Sequence, residues 1–575
     1  MPHGAEFGSD GEVRFRLWAP GCRRIGLEVD GESRPQPLNA LAEGWHELIT
    51  PEVKGGARYR FVLPDGTRVP DPASRYQPED VHGPSEVIDP RTWEWSDEGW
   101  PGRRWEEAVI YELHLGAFTP EGTFRAAIAK LDHLVSLGVT ALEIMPVGDF
   151  PGTRNWGYDG VLPYAPDSSY GRPEDLKALV EAAHARGLMV LLDVIYNHFG
   201  PDGNYLSLYA PEFFTTRHKT PWGAAINYDG PQSRPVRDFA IHNALYWIDE
   251  YHLDGLRLDA VHAIADDSPL DVIDELAERV RASDRGRQVH LVLENEKNEA
   301  RRLERNGDGR PRWFTAQWND DAHHVLHTAT TGEAQAYYEP YLGDTRKLGR
   351  ALAEGFVRPR GEASAHLPPS ALIAFIQNHD HIGNRALGDR LSCVASAEAV
   401  RAAAAVYLLL PQIPMLFMGE EWNAAQPFPF FCDFGADLAE AVRKGRRAEF
   451  PHNRGHIPDP QAYSTFASAK LRWEDVAEAA FADWLDWYRR ILRVRGEWVV
   501  PELAGIGGHA GSYDVIAEGA VVIRWRLQHG ELTLAANLSD GRVKGFPECT
   551  GQVLWQEGAA AVAGCFGPWT VRWSR

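Results

Sequence analysis

The sequence is poor in cysteine, in positive charge and in long apolar runs. Its 575 residues include five cysteines, at 22, 393, 432, 549 and 565, and no two of them form a C-x-x-C pair. An odd, scattered set excludes a disulfide framework and a thiolate zinc site, and it fits a reducing, cytoplasmic setting. Lys and Arg number 59 against 81 Asp and Glu, a formal net charge of −22. So acidic a chain lacks the cationic surface that nucleic acid or an anionic membrane requires of a partner. The opening MPHGAEFGSDGE has no apolar run behind a basic start, so no secretory signal is expected. The most apolar stretch, residues 402–418, is interrupted by Pro411 and Pro414 and falls short of the ~20 clean residues of a membrane span. It reads as a buried helix followed by a buried strand. Internal repeats and disordered tracts are also missing.

What is abundant is aromatic: 20 Trp, 19 Tyr and 23 Phe, 11% of the chain. Aromatics fill cores, and they also line sugar clefts, because a pyranose face stacks on indole. Composition does not choose between the two. Periodicity goes further. Residues 1–95 alternate apolar and polar, as in Val13, Phe15, Leu17; Ile25, Leu27, Val29; and Tyr59, Phe61, Leu63, with Asp-Gly turns between. That pattern predicts half-buried strands and a small N-terminal β-sandwich. From residue 96 to about 495, near-continuous apolar strands alternate with amphipathic helices. Strands are expected to begin near 108, 139, 188, 253, 289, 314, 370 and 413. Eight such units predict a central (β/α)8 barrel. An open dinucleotide-binding sheet would want G-x-G-x-x-G after its first strand, where this chain has HLGAFTPEG. Period 2 returns at 496–575, in 520–527, 531–538, 552–556 and 570–573, predicting a small C-terminal β domain.

Barrel chemistry sits at the carboxyl ends of the strands. The third strand ends in Asp193, Asn197 and His198, the fourth in Arg257 and Asp259, the fifth in Glu294, and the seventh in Asn378, His379 and Asp380. Asp259, Glu294 and Asp380 therefore converge on one mouth. Arg257 lies two residues before Asp259, so the side chains point the same way and the cation favours the ionised carboxylate. Glu294 follows the apolar Leu291–Leu293, a setting expected to raise its pKa toward an acid's role. A glycosidase needs this inventory: one carboxylate, one carboxylic acid and polar groups that grip hydroxyls. It needs no metal and no cofactor.

DVIYNH (193–198), GLRLDAVH (255–262), the Glu of LVLENE (291–296) and FIQNHD (375–380) resemble, in order and spacing, the four signature segments of the α-amylase superfamily, glycoside hydrolase family 13. The resemblance spans nearly the whole chain. It implies Asp259 as nucleophile, Glu294 as acid/base and Asp380 as the carboxylate that binds and distorts the sugar. Asp193, His198, Arg257, His262 and His379 would support that subsite, and Tyr158 of NWGYDG resembles the tyrosine that stacks on the reacting sugar. Further peptides, among them 111–124, 150–171, 315–324, 417–434 and GRRAEF (445–450), resemble the trehalose-releasing members of the superfamily. For those the resemblance implies retaining hydrolysis of the α-1,4 bond next to a terminal trehalose on a malto-oligosaccharide. The fourth segment has His381 where Gln is common, and the third lacks the usual Asn-Asp-Pro ending.

Other features carry two readings each. His323 and His327 lie four apart on a helix behind two Asp, a spacing a metal could use, but the carboxylate set needs none and a cleft wall or helix cap is the preferred reading. Trp222 is either an outer sugar platform or core. Glu420 and Glu421 fall at cleft level or simply pair with neighbours. Trp156, Trp318 and Trp422 are expected at the mouth with Tyr158; Trp247, Trp484 and Trp487 are expected in the core. A glycogen branching or debranching enzyme would share the four segments but not TRNWGYDG or GRRAEF. A non-catalytic glucan-binding protein would have lost carboxylates that are all present here.

Overall fold

The eight apolar segments close into a parallel barrel. Its strands, in order around the ring, are Ile110–Leu113, Ala141–Ile144, Met189–Val194, Gly255–Leu258, His290–Leu293, Ala316–Trp318, Leu372–Ala374 and Ile413–Phe417. The eighth pairs back onto the first, Met415 opposite Ile110. Every residue of these strands is buried, because helices cover the outer face and side chains fill the inside. The computed structural model describes all residues except 9, 32–33, 221–222, 284, 358–362, 452–456 and 560–563. Trp222 therefore lies outside the described residues.

The helices begin and end where local chemistry dictates. Asp271 caps Val272–Ala282 by accepting from the Asp274 N–H, and Ser396 caps Ala397–Tyr407 through Ala399 N–H. Between the first two strands the chain forms two helical pieces, Phe124–Ile128 and Leu131–Leu137, and the second stops at Gly138 (φ 107) as a glycine C-cap should. The apolar stretch at 402–418 is a helix end followed by the eighth strand. No described helix is long and apolar enough to cross a membrane.

The N-terminal region is two antiparallel sheets. One orders Gly4–Phe7, Val13–Trp18, Trp45–Thr50 and Asn39–Ala40; the other orders Gln36–Pro37, Gly26–Val29, Arg58–Val62 and Arg68–Val69. Phe15 and Tyr59 meet across them, ring centroids 4.8 Å apart. Sequence reading missed Gly4–Phe7 and Trp45–Thr50. Contacts of Trp18 with Phe213 and His3 with Phe239 dock these sheets on the barrel's outer segments.

The C-terminal sheet runs Gly511–Ala517, Ala520–Leu527, Gly530–Asn537, Thr570–Ser574, Val553–Glu557. It is keyed to the barrel by two buried donors. Trp573 Nε1 donates to Ala405 O at 2.8 Å. Arg495, fully buried in a π-helical turn (Arg495–Val499), donates to the carbonyls of Leu408, Leu410 and Gln412 at 3.0, 2.6 and 2.8 Å. Those carbonyls lie between the end of the helix Ala397–Tyr407 and the start of the eighth strand at Ile413. Replacing Arg495 with Met keeps much of the volume and orphans three buried acceptors. We expect a loss of about 3 kcal/mol, read as a lower unfolding midpoint in thermal or urea denaturation; an unchanged midpoint would refute this account of the joint.

Candidate active site

The parallel register sets Asp193 on the third strand opposite Arg257 on the fourth. Arg257 is completely buried, and its guanidinium holds three carboxylates at once. Nη1 donates to Asp193 Oδ2 at 2.5 Å and to Asp259 Oδ1 at 2.9 Å, while Nη2 donates to Glu294 Oε2 at 2.6 Å. Trp318 lies against the guanidinium plane at 4.0 Å, a cation–π contact that fixes its orientation. Burial alone would lower the Arg257 pKa; the carboxylates of Asp193 and Glu294 more than reverse this and raise it well above its ordinary value. Burial pushes Asp193 up to about 7, against the pull of Arg257.

Asp259 is further oriented by Asn197, whose Nδ2 reaches its Oδ2 at 2.8 Å. Glu294 is not in the apolar setting expected for it. Its Oε2 accepts from Arg257 and from the Ala260 N–H at 2.8 Å, because the fourth strand turns sharply at Ala260 (φ 39) and aims that N–H across the mouth. Oε1 has no protein hydrogen bond among the described residues. Asp380 follows Asn378, which caps the short helix His379–Gly383; its Oδ1 accepts from Asn384 Nδ2 at 3.0 Å. Side-chain exposure rises from 11% for Asp259 through 16% for Glu294 to 35% for Asp380. All three are thus partly accessible from a site whose cation is sealed.

Tyr158 donates to Asp193 Oδ2 at 2.6 Å, and its ring stacks on His379, centroids 5.0 Å apart. It hangs on a turn that only glycine allows: Gly157 has φ 105, and a Cβ there would sit 2.1 Å from Pro146 O. His198 Nε2 lies 2.9 Å from Tyr158 O, and His262 Nδ1 accepts from Glu296 N–H at 3.3 Å, so each ties neighbouring strand-end loops together. Behind His379 stands Glu112, which pairs with its Nδ1 and accepts its backbone N–H at 3.1 Å. Glu112 and Glu143 face each other on the first two strands. Burial, then repulsion from Glu112, raises Glu143 well above the carboxylate range. Both glutamates escaped sequence reading because they sit inside strands rather than after them.

A cavity of about 460 Å³ opens at this mouth. Glu294, Asp380, Trp318, His324, Tyr337 and Tyr341 are among its walls. Two expectations are corrected here, and two open readings are decided. Trp422 is fully buried against Trp473, 4.9 Å away, and Trp156 is buried on Phe428. Glu420 accepts from Tyr407 and Tyr488, and Glu421 from Tyr111 and beside His133, so neither reaches the mouth. His323 and His327 form no ligand set: their Nε2 atoms meet the Tyr338 hydroxyl at 3.1 Å and Glu333 Oε2 at 2.8 Å. The helix they ride on is capped by Asn319, not by the aspartates.

A closed eight-stranded parallel barrel carrying carboxylates at the ends of its fourth, fifth and seventh strands defines an α-amylase-type glycosidase. In agreement, the α-amylase catalytic-domain family model matches residues 85–220, and a domain of unknown function matches residues 508–573. Malto-oligosyltrehalose trehalohydrolase of Saccharolobus solfataricus is 40% identical over 90% of this chain and 91% of its own. That of Deinococcus radiodurans is 43% identical over 84% and 81%. A crystal structure assigned provisionally as an α-amylase from Salmonella typhimurium matches with TM-score 0.96 at 46% identity, covering 100% of this chain and 99% of that one. The chain belongs to the malto-oligosyltrehalose trehalohydrolase family. A 1,4-α-glucan branching enzyme of Corynebacterium jeikeium matches only partially, 34% identical over 44% of this chain and 38% of its own.

Burial would lower the His379 pKa, but Asp380 and Glu112 overcome it and lift the ring to about 9 from 6.5. The protonated ring thus contributes stability that is complete below pH 6.5 and lost as pH climbs through 9. Between those pH values the wild type is expected to lose on the order of 3 kcal/mol that a His379→Gln variant does not. Parallel unfolding curves across that window, with equal pH slopes for both proteins, would show that His379 is not held charged.

Proposed function

We propose that this protein hydrolyses the α-1,4 bond joining a malto-oligosyl chain to a terminal trehalose, releasing trehalose with retention of configuration. The observation that carries the reading is Arg257, which holds Asp259 on Nη1 and Glu294 on Nη2 beside a cavity that Asp380 also lines. In the first step Asp259 attacks the anomeric carbon while Glu294 gives a proton, carried on its unpartnered Oε1, to the trehalose oxygen. In the second, water attacks the glycosyl-enzyme and Glu294 takes the proton back. Asp380 holds the hydroxyls of the distorted sugar, and Tyr158 stacks on it, positioned by Asp193, His198 and His379. His262 steadies the loop behind Glu294. Family membership supports trehalose as leaving group, and the cavity beside Glu294 is walled by rings suited to pyranose faces. Its volume falls within the ~300–1,000 Å³ of small-molecule sites. Five free cysteines support a reducing, cytoplasmic setting.

Offered maltotriosyltrehalose, maltohexaose and glycogen, the protein is expected to release trehalose from the first and little glucose from the second. New α-1,6 branches in glycogen, with no free trehalose, would instead make it a branching enzyme. Proton NMR in the first minutes should show the new reducing end as the α-anomer; β-anomer first would sink the retaining mechanism. Asp259→Asn should abolish turnover with the fold intact, and Glu294→Gln should slow it roughly 10²–10⁴-fold. Near-wild-type rates in either variant would remove that residue from the mechanism.

A further inference from the structure

A second cavity, about 720 Å³, lies away from the strand-end carboxylates. Its walls are the helix Asp320–Thr331, the turn Tyr341–Thr345 and two turns of the C-terminal sheet, at Glu518–Gly519 and Leu538–Gly541, with Trp569. Tyr341 lines both this groove and the catalytic cavity, so the two are neighbours.

Trp569 differs from the other tryptophans of the C-terminal sheet; Trp555 is also half-buried, but its ring packs edge-on against Trp487, 5.5 Å away. Trp525 and Trp573 are fully buried and stack on each other at 5.6 Å. Trp569 is half-buried, and its backbone sits at φ 50. A bulky residue in the left-handed region is strained, and such strain persists where something else fixes the position. Its backbone N–H donates to Ser539 O at 3.1 Å. Its indole Nε1 makes no hydrogen bond among the described residues. The side chain packs in part against the core and also lines the groove.

The charges in the groove narrow the occupant. Asp344, Glu518 and Asp540 line it, and no Lys or Arg does so among the described residues. Lys347, 3.6 Å from Asp344, lines the catalytic cavity instead. Glu518 and Asp540 are exposed carboxylates. Such a wall repels phosphate and nucleic acid and accepts hydrogen bonds from hydroxyl groups. An indole face with a free N–H takes the apolar face of a ring that also carries hydroxyls. A neutral polyol with pyranose faces satisfies both conditions.

We infer that this groove is a second glucan-binding site, with Trp569 as its stacking platform and Glu518 and Asp540 as acceptors for sugar hydroxyls. The inference rests on the reading above that the substrate is an α-1,4-glucan chain. A long chain, or its neighbour in a bundle, held in the groove keeps chain ends near the catalytic mouth and raises their effective concentration there.

The test uses Trp569→Gly, because glycine adopts φ 50 without strain and so spares the fold, with Trp569→Tyr as the ring-restoring control. In an Asp259→Asn background, which blocks hydrolysis, migration in native gels containing amylose should be retarded. Adding Trp569→Gly should weaken that retardation roughly tenfold, and Trp569→Tyr should restore most of it. In the active enzyme, Trp569→Gly should raise KM for long-chain malto-oligosyltrehalose with kcat unchanged, and leave maltotriosyltrehalose kinetics as they were. Undiminished retardation, or an equal rise in KM for the short substrate, overturns the inference. Failure of the wild type to release trehalose from maltotriosyltrehalose would overturn the proposed function instead, and the gel result would be read separately.

Discussion

One buried guanidinium organises the catalytic mouth. Arg257 has no exposed surface, and it is tolerable there only because three carboxylates from three strands meet it. The converse holds as well. Asp193, Asp259 and Glu294 could not converge without a cation between them, since like charges at these distances repel by several kcal/mol. Removing either side leaves an unpaired buried charge, the costliest kind of loss. The guanidinium's planar fork is what allows one residue to serve two partners on Nη1 and another on Nη2, and Trp318 beneath it holds the plane. A lysine, a point charge on a flexible stem, would not set two carboxylates at fixed places.

A second layer repeats the principle lower in the barrel. His379, raised to about 9, is the other cation of the site, and it is flanked by Glu112 and Asp380. Glu143, facing Glu112 on the neighbouring strand, has no cation of its own. Burial and repulsion from Glu112 favour its protonated form instead. The barrel thus accommodates six carboxyl groups, at 112, 143, 193, 259, 294 and 380, by two cations and at least one proton. The two layers are mechanically linked, because His379 stacks on Tyr158 and Tyr158 bonds to Asp193.

The barrel was legible in the sequence because strands buried on both faces read as unbroken apolar runs, and each of the eight begins within a few residues of where the pattern places it. The carboxylates were legible for a related reason: Asp259, Glu294 and Asp380 lie in the short polar segments that end such runs. What was missed lacks that contrast. Gly511–Ala517 is a half-exposed edge strand with no clean alternation. Glu112 and Glu143 lie inside runs that otherwise look like core. Tyr337, Tyr341 and His324 come from the long connection between the sixth and seventh strands, and only packing brings them to the mouth. Trp422 shows the opposite error. It follows the eighth strand directly, but Gly419 (φ 80) turns the chain outward, so position along the sequence pointed to the cleft while the backbone led away from it.

The excess of acid at the mouth selects both a transition state and a class of ligand. Glycoside cleavage develops positive charge on the anomeric carbon and its ring oxygen. A site in which carboxylates outnumber cations, with Arg257 sealed beneath and unable to approach the sugar, places its negative potential where that charge appears. Among the described residues Lys347 is the one Lys or Arg on the cavity wall, and Asp344 stands 3.6 Å from it, so little positive charge is left there to hold a phosphorylated sugar. Arg257 is therefore buried for two reasons at once. It gathers the carboxylates, and by staying below them it leaves their field unneutralised on the side from which the glucan arrives.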